Sequence, residues 1–113
     1  MALTRHIKAK CFTTIPIRLE LFNKNNEPLD LSNCEFVFTA RENVESEVVI
    51  ECSSSNGDVT ELAPGIVEIT IAASKVTKPR VLLYDIFIFQ PNFQRCLVEG
   101  TLTLEPSLTQ KVK

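Results

Sequence analysis

Apolar and polar residues alternate singly along most of this chain, and the alternation is broken by short polar segments. Ile15, Ile17, Leu19 and Leu21 alternate with Pro16, Arg18 and Glu20, the pattern of a half-buried strand. Pro16 has no N–H to give to a ladder, so this strand or its start belongs at a sheet edge or bulge. Residues 23–28, NKNNEP, have turn chemistry, because Asn tolerates left-handed dihedrals and Pro ends a ladder. Leu29 and Leu31 flank Asp30 as a short extended piece. A second strand runs over 34–41 with Cys34, Phe36, Phe38 and Ala40 on one face, the two phenylalanines being core anchors. A third covers 47–52 and leads through SSSNGD to a short VTEL segment; Asn56-Gly57 marks the turn, since glycine takes positive φ without steric cost.

Gly65 opens the next strand, in which Val67, Ile69 and Ile71 alternate with Ile66, Glu68 and Thr70; AASKVTKP then makes at most a single helical turn that Pro79 ends. Residues 81–89, VLLYDIFIF, are apolar on both faces, which predicts a central strand or one covered twice. After the turn QPNFQR, the residues Cys96, Val98, Gly100, Leu102 and Leu104 form the last alternating set. With PNFQ as the loop, Asp85 stands opposite Gly100 and Ile86 opposite Glu99. Asp85 then shares a face with Leu83, Phe87, Val98 and Leu102 and needs backbone donors or an Arg partner. Asp85 and Glu99, near each other across the hairpin, are the candidate structural polar pair. On the reverse face Leu82, Tyr84, Ile86 and Ile88 make an apolar stripe. It is either covered by the N-terminal arm or a loop of the same chain, or it is a candidate interface to a neighbouring subunit.

About seven short strands with turn signals between them, and no amphipathic helix of useful length, predict an all-β fold: an immunoglobulin-like antiparallel β-sandwich, with a small barrel as the alternative. The 113 residues suffice for one core. The expected division is a flexible N-terminal arm over 1–11, a sandwich over 12–106 and a C-terminal tail over 107–113.

Charge and chemistry narrow the function mainly by exclusion. A net charge of -2 supplies no basic field for nucleic acid or an anionic membrane. Arg5, His6, Lys8 and Lys10 crowd the start of the chain and Glu42, Glu45, Glu47 and Glu51 its middle; these are either two solvated surfaces or complementary patches on neighbouring subunits. There is no run long enough to insert in a membrane and no apolar signal-peptide stretch at the start, so the expected compartment is a cytoplasm. In that setting Cys11, Cys34, Cys52 and Cys96 read as free thiols. His6 is the single histidine and has no nucleophile beside it, and the cysteines are too widely spaced for a zinc site. The three glycines are scattered, which disfavours a phosphate cradle. Asp58 with Glu61, or Asn23 with Asn26 and Glu27, could offer oxygens to calcium but read first as solvated loops. No catalytic residue, cofactor or metal ligand is therefore assigned, and the chain is expected not to be an enzyme.

Taken in order, the segments resemble a recurrent small domain of tailed bacteriophages and prophages, found at the N-terminus of baseplate upper proteins and in neighbouring tail proteins. The likeness covers roughly residues 12–106. It runs from the strand and turn ending in Pro28-Leu-Asp-Leu31 through CEFVFTAR, the Asn-Gly turn, Gly65-Ile66 and AASKVTK. It closes on Tyr84-Asp85-Ile86 and, across the hairpin, Leu97-Val98-Glu99-Gly100 leading into TLTLEPSLT. Tyr-Asp and Glu-Gly carry most of the likeness. The resemblance implies a non-catalytic virion structural protein, made in the bacterial host cytoplasm and then carried in the virion. Its expected partners are other tail or baseplate proteins and further copies of itself. The competing reading is a carbohydrate-binding or adhesive immunoglobulin-like domain, which one Tyr and no Trp supply poorly with stacking surfaces.

Overall fold

The computed structural model describes residues 2–113; Met1, the first residue of the predicted arm, lies outside them. Nine strands and one 3-10 turn form two packed sheets. In chain order they are β1 (Leu3–Thr4), β2 (Ile7–Lys10), β3 (Ile15–Glu20), β4 (Glu35–Arg41), β5 (Val48–Ser53), β6 (Val59–Ala63), β7 (Ile66–Ile71), the 3-10 turn Ala73–Lys75, β8 (Arg80–Gln90) and β9 (Phe93–Glu105). The smaller sheet has the order β3-β7-β6. The larger runs β9-β8-β4-β5, with β1 and β2 both paired to the open side of β9. Strands β3, β6 and β7 oppose β4, β5, β8 and β9 as the B, D, E and C, C′, F, G strands of an immunoglobulin-like sandwich do.

The single alternation seen in the sequence becomes burial on one face. In β3, Ile15, Ile17 and Leu19 are buried while Pro16, Arg18 and Glu20 are exposed. This strand pairs only with β7, so Pro16 sits at a sheet edge, where its missing N–H costs no ladder bond. Phe36 and Phe38 are buried anchors on β4, and Phe38 stacks on Tyr84 with ring centroids 5.2 Å apart. Gly57 closes the turn after β5 at φ 79°, a region in which residues with a Cβ are strained.

Three expectations are corrected. The N-terminal segment is no free arm: β1 pairs in parallel with Val98–Glu99 and β2 with Leu102–Glu105. The sequence carries only two apolar positions of this strap at period two, Ile7 and Ala9, too short a signal to read. Cys34 is half-buried and stands one residue before β4, just outside the strand. Third, the last hairpin turns on two residues, Pro91 and Asn92, not four: Gln90 pairs with Phe93, and a bulge follows between Ile86 and Phe87. Pro at the first turn position and Asn92 at φ 61° are the combination of a tight type II turn.

That register decides the faces. Leu82, Tyr84, Ile86 and Ile88 are 0%, 4%, 0% and 1% exposed, buried within the single chain against the smaller sheet's core residues. They are not an interface, and what covers them is the other sheet. Val98 and Leu102 join them in the core, opposite Ile86 and Leu82. Asp85 stays with Leu83 and Phe87, but on the solvent side of the larger sheet. One extra residue in β9, Leu97, moves each later β9 side chain to the face opposite the predicted one.

Candidate interaction surface

The outer face of the larger sheet is laid down in rows across β5, β4, β8 and β9. Val37 pairs with Ser53 and with Phe87, and Phe87 with Cys96. One step along the strands, Thr39 pairs with Glu51 and Asp85, and Asp85 with Glu99. A further step brings Arg41 beside Val48 and Leu83, and Leu83 beside Thr101. The Thr101 hydroxyl lies 2.9 Å from His6 Nδ1, and its N–H donates to the same nitrogen at 3.2 Å. A largely apolar row, an acidic row and a row whose one charge is Arg41 therefore follow one another down the sheet.

Two shallow depressions cover these rows. One, of about 320 Å³, is lined by Thr39, Arg41, Asn43, Val44, Leu83, Tyr84 and Asp85. The other, of about 260 Å³, shares Thr39, Arg41 and Asp85 and adds Val37, Phe87, Phe89 and Gln94. Leu83 is 45% and Val81 59% exposed, while Phe87 and Phe89 are half-buried with centroids 6.1 Å apart.

Asp85 and Glu99 do come together, as direct cross-strand partners. They do so as two like charges, an arrangement that is destabilising for neighbours on one sheet face. Burial raises the Asp85 carboxyl above its ordinary range, Glu99 raises it further, and Arg41 pulls it partly back. The Arg41 guanidinium is held elsewhere: Nη1 donates to the Ser46 carbonyl at 2.9 Å.

The other half of the Tyr-Asp and Glu-Gly pattern is structural. Tyr84 pairs with Gly100, and the Tyr84 hydroxyl donates to the Arg5 carbonyl at 2.6 Å. A Cβ on Gly100 would lie 2.0 Å from that carbonyl oxygen, so only glycine lets the strap cross there. The strap is further tied by Arg5 N–H to the Glu99 carbonyl at 2.9 Å and by the exposed ion pair Lys8–Glu105 at 3.5 Å. His6 is thereby fixed to β9, which its place near the chain start does not suggest.

The loops weighed for calcium use their oxygens on the chain itself. Asn23 Oδ1 accepts from the N–H groups of Asn25 and Glu27, and Asp58 Oδ2 accepts from Ser53 N–H and pairs with Lys75 at 3.7 Å. The four cysteines are free. Burial raises the Cys52 and Cys96 thiols, the latter also through Asp85 and Glu99, which keeps both protonated and weakly nucleophilic at neutral pH. Among the described residues no helix is long and apolar enough to cross a membrane. No protein-family model matches this chain, and no curated protein is significantly similar to it.

Proposed function

We propose that this protein is a non-catalytic structural module of a tailed-phage or prophage virion, attaching or assembling tail and baseplate proteins through protein-protein contacts. The observation that carries the reading is the outer face of the larger sheet. It offers exposed Leu83 and Val81, half-buried Phe87 and Phe89, and charged rows beside them. Apolar side chains rimmed by charge on a regular sheet are a surface that a protein partner buries well. The sequence likeness to baseplate-type domains supplies the setting: synthesis in the bacterial host cytoplasm, then residence in the virion.

The test is composition of particles. Mass spectrometry of particles purified after prophage induction is expected to find this chain at a fixed ratio to the tail proteins, and affinity purification of the tagged chain to bring those proteins with it. Particles that lack it, with no tail protein co-purifying, would overturn the reading.

A further inference from the structure

We propose that the outer face of the larger sheet binds a second copy of this chain about a two-fold axis lying between its acidic and basic rows. The acidic row is Glu51, Asp85 and Glu99, on three strands linked through Thr39. The basic row, two residues along the strands, holds one cation, Arg41, beside Val48, Leu83 and Thr101. A two-fold rotation about an axis parallel to the rows reverses the strands and exchanges the rows. Each acidic row then faces the other copy's basic row, as an isologous interface requires. Arg41 sits on β4, between the strands that carry Glu51 and Asp85, so in the pair its guanidinium meets the carboxylates of the opposite copy.

Two features of the single chain fit this occupant. Asp85 and Glu99 are set side by side with no ion pair to either among the described residues, and a cation arriving from outside relieves that repulsion. Leu83 stands next to Asp85's row and is 45% exposed, placing an apolar contact near the axis. The strands of the larger sheet, 2 to 13 residues long at ~3.3 Å per residue and ~4.8 Å apart, make a face of roughly 700 Å², a little under the ~800 Å² per partner of a standard interface.

This inference rests on reading the outer face as a protein contact, but not on the virion setting. A chain absent from particles would remove that setting and leave the self-association test intact.

The experiment is charge exchange followed by sedimentation equilibrium. Wild-type protein is expected to dimerise reversibly. Arg41→Glu alone sets a carboxylate against the other copy's Asp85, and Asp85→Arg alone sets two guanidinium groups together. Each should raise the dimer Kd at least tenfold, on the order that like charges cost in an interface. Mixed one to one, the two variants make only opposite-charge contacts, so a dimer with one of each is expected to return. That recovery also shows that both variants are folded, which circular dichroism checks directly. A wild-type chain that stays monomeric at high concentration overturns the proposal. So does a dimer that both substitutions leave unchanged, or a mixture that fails to recover association.

Discussion

At the scale of single residues, substitutions at Tyr84, Gly100 and Asp85 have the most distinct consequences. Tyr84 is buried with its hydroxyl on the Arg5 carbonyl, so Tyr84→Phe leaves that carbonyl without its donor. A loss of about 1 kcal/mol is expected in urea unfolding. Gly100→Ala drives a methyl into the same carbonyl, and overpacking of backbone should cost about 1–3 kcal/mol. In both variants the amides of β2 are expected to exchange faster than in the wild type, with β4 and β8 little changed. Asp85 behaves oppositely. Its carboxyl is raised by burial and Glu99, so the folded chain holds this proton more tightly than the unfolded one. Stability from this group is therefore complete below its ordinary value near 3.8 and is lost as pH rises through the raised value. Asp85→Asn removes that loss. Thermal melts of dilute protein are expected to show the variant more stable at pH 7, with the gain vanishing below about pH 3.8.

At the scale of elements, the last hairpin decides the most. Its tight Pro91-Asn92 turn and the bulge at Leu97 together put Leu82, Tyr84, Ile86 and Ile88 inside and Asp85 outside. Leu82→Ala should accordingly behave as a core truncation, costing about 2–5 kcal/mol in chemical denaturation without weakening self-association beyond the loss of fold. A substitution there that changed only oligomeric state would contradict the register. The strap of β1 and β2 is made of the shortest strands of the larger sheet and pairs on one side only. Native-state hydrogen exchange is expected to show Ile7–Lys10 less protected than β8, which is flanked by β4 and β9. The strands of the sandwich are legible in the sequence because each presents period-two alternation: the expected β3, β4 and β7 end within two residues of the observed ones. The strap is not, because four residues with two apolar positions do not stand out from a polar segment.

At the scale of the whole molecule, the charge asymmetry along the chain becomes an arrangement in space. The basic residues at the start lie on the β2 side of the larger sheet and Glu51 on the β5 side, with Asp85, Glu99 and Arg41 between them. Local order alone is enough for the fold class, the edge position of β3, the central position of β8 and the core anchors Phe36 and Phe38. Those follow from alternation, from a proline that cannot donate and from side-chain volume, all of which act within a few residues. The packed chain is needed to establish which face of the last hairpin is core, that the N-terminal segment is a strand, and that Asp85 and Glu99 meet as like charges. These depend on register and on pairing between segments far apart in the chain. A single added residue in β9 reverses the faces, because side chains in a strand alternate with period two.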